Sequence, residues 1–153
     1  MSKVRGKFET FEGTLVTADD ITASTVNVSV ELASINTGTA DRDNHLRSGD
    51  FFNVETNPTM TFASTGVVQK SDSDFVVTGD LTIKDITKPF ELIVEFLGEG
   101  KDPWGGTRVG VEATGQISRK DWGIDFNIPL EGDKVMIGDK ITITINAEAV
   151  RQA

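Results

Sequence analysis

An alternation of apolar and polar residues with a period of two runs through most of this chain, and it leaves little room for anything but antiparallel β-sheet. The cleanest run is Thr25 to Ile35. Val26, Val28, Val30 and Leu32 fall on one face, and Thr25, Asn27, Ser29 and Glu31 on the other. Met60 and Phe62 share a face in the stretch from Pro58 to Val68, and Phe75, Val77, Gly79, Leu81 and Ile83 continue the pattern. Phe90, Leu92, Val94 and Phe96 form the next apolar face, then Val109, Val111, Ala113, Gly115 and Ile117. The last run is Ile141, Ile143, Ile145, Ala147 and Ala149. Turn signals separate the runs at Ser71–Asp74, Lys84–Pro89, Gly98–Thr107, Gly132–Lys134 and Gly138–Lys140. Near the start, Val4, Phe8, Phe11 and Leu15 are irregularly spaced, Glu12-Gly13 reads as a bulge, and Thr17–Asp20 reads as a turn.

About seven alternating strands at this spacing predict an antiparallel barrel or a sandwich. Strands of ten or more residues with one apolar face favour a curved sheet around a lumen, and a barrel of about eight strands can hold one ligand inside. Gly79 and Gly115 lie on the apolar face. They either permit coiling and leave space, or mark bulges.

One stretch breaks the alternation, Ala33 to Val54. Asp41-Arg42-Asp43-Asn44-His45-Leu46-Arg47 places five charged or amide side chains and the only histidine in seven residues. A short helical lid is expected, with Thr39 or Asp41 as N-cap, Ser48 as a second N-cap, and Phe51 and Phe52 turned onto the core. Asp41, Asp43 and His45 could be metal ligands, but only Asp41 and His45 would share a helix face and no second cluster adds ligands. Capping and ion pairing with Arg42 and Arg47 explain the charges more simply. A further possibility is that Arg42, His45 or Arg47 meets the polar head of a ligand at a barrel mouth, since Arg suits phosphate geometry.

Composition narrows the function classes. The 153 residues suit one domain with a sizeable core. A net charge of −9 disfavours nucleic acid and anionic lipid. The chain has no cysteine, and its single histidine leaves few arrangements for nucleophilic catalysis. Gly98-Glu99-Gly100 lacks the third glycine and the helix that phosphate cradling requires. No cofactor is implied. No apolar run approaches the ~18 residues of a membrane span. As written the chain reads as cytoplasmic, with an upstream leader making it periplasmic or secreted.

The stretches ASINTG, DRDNHLRSGDFFNVETNPTMTF, VTGDLTIKDITKPFEL, GKDPWGGTRVG and ISRKDWGI occur in that order. Together they resemble the motifs of the YceI-like family, over Lys3 to Arg151. The resemblance implies a lipocalin-like antiparallel barrel with a long apolar lumen for an isoprenoid or another amphiphile, and no catalytic residues. It also implies a first strand carrying an HSxxxF-like segment; the sequence starts just after it, so either the barrel lacks one wall or an upstream start has removed that strand. An absent strand exposes two sheet edges for a ligand or a second copy, making a homodimer, to cover. Asp85 stands where the family commonly has Gly, which suggests a different turn type.

The sequence thus predicts one all-β domain, a barrel of about seven to eight strands that binds or carries an isoprenoid or similar amphiphilic lipid. The expected lumen residues are Val28, Val30, Met60, Phe62, Phe75, Val77, Phe90, Leu92, Val94, Val111 and Ile143, with Phe51 and Phe52 beneath the lid. Arg119-Lys120-Asp121-Trp122 reads either as a rim site or as a corner where Trp122 plugs one end and Arg119 pairs with Asp121. Trp104 reads as a loop anchor. The competing reading is a structural or protein-interaction module whose barrel is filled by its own side chains. Outward Ile93 and Leu97 would then mark its contact surface.

Overall fold

A computed structural model describes residues 4–127 and 137–150. The Gly132–Lys134 turn signal lies outside them. Among the described residues there are nine strands: β1 (Lys7–Phe8), β2 (Phe11–Val16), β3 (Thr25–Glu31), β4 (Ile35–Asn36), β5 (Thr59–Gln69), β6 (Asp74–Ile83), β7 (Ile86–Lys101), β8 (Thr107–Ser118) and β9 (Lys140–Val150). One helix, α1 (Ala40–Arg47), follows β4. β1 and β4 form a two-stranded ribbon, and the other strands form one antiparallel sheet in the order β2-β3-β5-β6-β7-β8-β9. This sheet curls into a half-barrel. β2 and β9 are its two edges.

Register divides the half-barrel into two ends. The β6–β7 turn, α1 and the 3-10 turn Arg119–Trp122 lie at what we call the helix end. The β2–β3, β5–β6 and β7–β8 connections lie at the opposite, hairpin end. The inward alternation is realised as predicted: Phe62 pairs with Leu81, Val77 with Leu92, and Ala113 with Ile145. The helix end is densely packed. Leu32 and Ile83 are fully buried, and Leu81, Trp122 and Ile124 nearly so. At roughly 25 cal/mol per Å² of apolar surface removed from water, this cluster is the main source of stability.

Several local expectations change. Glu12 and Gly13 pair in unbroken register with Ser29 and Val28, so no bulge forms there. The register shifts instead between Ser64 and Gly66 and between Phe96 and Gly98. Gly79 and Gly115 neither leave space nor simply mark bulges, because aromatic rings fill the space above them. A Cβ on Gly79 would lie 2.6 Å from Phe62 Cζ, and one on Gly115 would collide with Phe90 Cζ. The two rings meet edge to face at 6.0 Å.

The sheet also opens along one internal seam. β7 begins at Ile86, yet it pairs with β8 only from Ile93 to Lys101. The Phe96 N–H donates to Ser73 O on the β6 side, so the strand's alternation turns odd-numbered residues toward β8. Pro89 is one of these, and it lacks the N–H that a ladder to β8 would need.

Candidate functional site

The polar stretch that broke the alternation folds into α1 and a hydrogen-bonded clamp. Acidic Asp41 and Asp43 lie in the first turn and His45 and Arg47 in the last, in accord with the helix dipole. Thr39 is the N-cap residue, although its side chain makes no capping bond. Ser48 is the C-cap and not a second N-cap: its Oγ donates to His45 O at 2.6 Å. The buried Asp43 carboxylate accepts from Thr37 Oγ1 at 2.5 Å and Thr37 N at 2.8 Å. The Thr37 hydroxyl bond, aided by the Thr37 amide and the charges of Arg47 and Arg42, outweighs burial and holds this carboxyl below its usual range.

Arg42, Arg47 and His45 have partners within the fold. Arg42 donates to Thr37 Oγ1 and Thr37 O, each at 2.7 Å. Arg47 reaches back to Ala33 O at 2.9 Å and Ile35 O at 3.1 Å, tying α1 to the sheet. His45 Nε2 bonds Asp50 Oδ2 at 2.7 Å, and its ring meets Phe51 and Phe126 edge to face. Phe51 is buried, and Phe52 packs edge to face on Phe8. Among the described residues no three His, Asp or Glu side chains converge as a metal site.

Trp122 closes the helix end. It is 3% exposed and donates from Nε1 to Leu81 O at 2.9 Å. Arg119, 2% exposed, does not take Asp121 as its partner. Its guanidinium donates to four carbonyls, Ile124 O, Phe126 O, Ile137 O and Gly138 O, at 2.7–3.2 Å. A buried cation costs little only when its donors are fully used, and here carbonyl dipoles replace water. Asp139 closes the same corner through a very short bond from Ser118 Oγ, which keeps its carboxyl below the usual range. The sequence placed Trp122 correctly as a possible plug. It gave no sign of Arg119's carbonyl cage, because backbone acceptors carry no residue signature.

The concave face carries the expected lumen residues, with a gradient of burial. Met60, Phe62, Val77, Phe90 and Leu92 are buried. Phe75, Val94 and Val111 toward the hairpin end, and Val28, Val30 and Ile143 toward the two edges, are half-buried. Sequence reasoning missed that β2 extends this face. Phe11 pairs with Val30 and Leu15 with Val26, and Phe11 is 52% exposed. The three-residue step from Phe8 to Phe11, and a glycine between Phe11 and Leu15, hid the register. The face is therefore an apolar trough between the β2 and β9 edges, closed at the helix end.

Two cavities lie off this trough. One, of about 350 Å³, sits in the β7–β8 seam against Phe90, Ile117, Gln116 and Trp122. The other, of about 420 Å³, lies beside α1 against Glu9, Asn36, Asp43 and Arg47. No helix among the described residues is long and apolar enough to cross a membrane.

A curled antiparallel sheet with a helix across one end and an apolar concave face defines a lipocalin-like β-barrel protein. The chain belongs to the YceI-like family, whose domain model matches residues 1–149. It is 43% identical to a UPF0312 protein of Photorhabdus laumondii, over 96% of this chain and 73% of that protein. It is 40% identical to protein YceI of Escherichia coli O157:H7, over 96% of this chain and 74% of that one. The crystal structure of a Campylobacter jejuni YceI protein superposes with a TM-score of 0.84 at 28% identity, covering 100% of this chain and 88% of that one. Burkholderia cenocepacia BcnA shares the fold, with a TM-score of 0.77 at 19% identity, over 94% of this chain and 86% of that one.

Proposed function

We propose that this chain binds an isoprenoid or similar amphiphilic lipid, without chemistry on it, by laying the hydrocarbon tail along the concave trough. One observation carries this reading: the inward wall is apolar through Phe62, Val77 and Leu92 and continues as Phe75, Val94 and Val111, which are only half-buried. A surface of that kind is unfavourable in water, and a hydrocarbon chain covering it gains about 0.8 kcal/mol per methylene. The tail enters from the hairpin end, because Trp122 and Arg119 occupy the other. With the α1 cations engaged internally, tail burial rather than head-group pairing supplies most of the affinity.

The test is a chain-length series of isoprenoid alcohols, with dissociation constants measured on purified protein. Affinity should rise with each added unit until the trough is full, and Val94→Ser and Val111→Ser should weaken it without changing the length at which it levels off. A protein that takes up none of the series, and releases no lipid on organic extraction, is instead the packed interaction module.

A further inference from the structure

Large apolar side chains left in water gather at the hairpin end. Val16 ends β2, Ile21 lies within the β2–β3 connection, Val68 precedes the β5–β6 turn, Val150 ends β9, and Leu97 approaches the β7–β8 turn. Trp104, at the tip of that turn, is 82% exposed, more than any other large apolar residue described. The loop that carries it is hydrogen-bonded to itself. Asp102 Oδ1 accepts from Trp104 N at 2.9 Å and Gly106 N at 2.7 Å, and Oδ2 accepts from Arg108 Nε at 3.1 Å. The Asp102 N–H donates to Gly106 O at 2.8 Å, and Gly105 adopts φ 83°, which suits a glycine. The turn is therefore built, and Trp104 is its payload rather than its anchor.

We propose that the hairpin end docks on a neutral or zwitterionic lipid surface, with Trp104 inserted at the interface as the leading contact. Indole has an apolar body and a polar N–H, and it is favoured at a lipid–water boundary. Charge selects the kind of surface. Asp19, Asp20, Asp72, Asp74 and Glu99 outnumber Lys70 and Lys101 around these turns, and the whole chain carries −9, so anionic lipid is repelled. The β5–β6 and β7–β8 turns at this end also border the half-buried trough residues Phe75 and Val111, so a docked protein would bring the open end of the trough to the lipid. This inference rests on the proposed lipid-binding function and adds where and how the lipid is collected.

The experiment uses the intact chain, phosphatidylcholine vesicles and the Trp104→Ala variant. Wild type should float with the vesicles and show a blue-shifted indole emission, while Trp104→Ala should float about tenfold more weakly, the loss expected when one large side chain no longer leaves water. The buried Trp122 supplies an emission signal that should match in both proteins, verifying that the variant is folded. Adding phosphatidylglycerol should weaken flotation. Equal flotation of the two proteins, no flotation of wild type, or a Trp104→Ala effect on self-association alone would overturn the proposal, the last in favour of a second copy as occupant. A separate arm measures uptake of a short isoprenoid alcohol dispersed in water. Uptake unchanged by Trp104→Ala, with wild type failing to float, sinks only the docking idea; no uptake by wild type sinks the binding function beneath it.

Discussion

The two ends of this half-barrel are built from the same alternating strands and finished in opposite ways. At the helix end each buried polar group meets a partner. Arg119 takes four carbonyls, Trp122 takes Leu81 O, and Asp43 takes Thr37. Aromatic rings there lie in glycine notches, Phe62 over Gly79 and Phe90 over Gly115. At the hairpin end the wall residues stay half-buried, and Trp104 stands in solvent. Side chains seal one end of the sheet, while the other remains accessible between the edge strands β2 and β9. Stability is concentrated where ligand access is least, and substitutions should separate the two properties.

The sharpest break is at Arg119. Arg119→Ala removes the donors of four carbonyls at a buried corner, and an orphaned buried acceptor costs about 1–3 kcal/mol. The expected loss is about 3–5 kcal/mol, comparable with breaking a buried ionic network, and urea denaturation reads it as a shift in midpoint. Less than about 1 kcal/mol would mean water replaces the guanidinium and the corner is not sealed. Next is Leu32→Ala, expected to cost about 2–5 kcal/mol, against Val111→Ala at the half-buried wall, expected to cost about 1 kcal/mol or less. Equal costs at the two sites would abolish the contrast between the ends. Gly115→Ala should follow at about 1–3 kcal/mol, because its methyl group meets the Phe90 ring and lies 2.9 Å from Glu91 O. Gly115→Ala/Phe90→Leu should recover part of that loss if the ring is the obstacle.

Much of this was legible in the alternation, because burial on one face of a sheet writes itself into every second residue. The concave face, the strand order of the long hairpins and the α1 segment all follow from it. The α1 cluster was harder, since Arg42, His45 and Arg47 look alike as ligand-binding side chains or as clamps. Only their acceptors, largely backbone carbonyls and Thr37, distinguish the two. Arg119 was illegible for the same reason. The β7–β8 seam left a single mark, Pro89, whose meaning depends on which neighbour its nitrogen faces. Trp104 suggested an anchor because a lone tryptophan in a loop is commonly buried; its exposure is set by the Asp102 bonds, which the short stretch Asp102–Gly106 encodes in principle.

Acid should act on both ends. The carboxyls of Asp43 and Asp139 at the helix end, and of Asp102 at the hairpin end, are all held below 3.8 in the folded protein, by the Thr37 hydroxyl, the Ser118 hydroxyl and the Gly106 amide respectively. A carboxyl depressed by folding contributes stability that is complete above its unfolded value and is lost as pH falls through the folded one. Stability should therefore be flat from neutral pH down to about 5 and fall below about 4. Asp43→Asn should flatten that decline, as followed by thermal unfolding across the acid range.

The smallest expected effect compares one turn from each end. The Asp102–Gly106 turn at the hairpin end puts glycine where φ is positive, at Gly105. The Lys84-Asp85 turn at the helix end joins Ile83 to Ile86 with φ of 53° and 64° on two non-glycine residues. That is the two-residue hairpin geometry for which Asn-Gly is the preferred sequence. Asp85 therefore occupies a backbone position that favours glycine. Asp85→Gly removes the strain of a Cβ in the left-handed region, at the cost of a more flexible unfolded chain, and should stabilise by about 0.5–1 kcal/mol. Gly105→Ala at the opposite end should destabilise by a similar amount for the mirrored reason. If Asp85→Gly instead destabilised the protein, the aspartate would be making a contribution beyond its backbone, and the packed end would owe part of its stability to the turn that caps it.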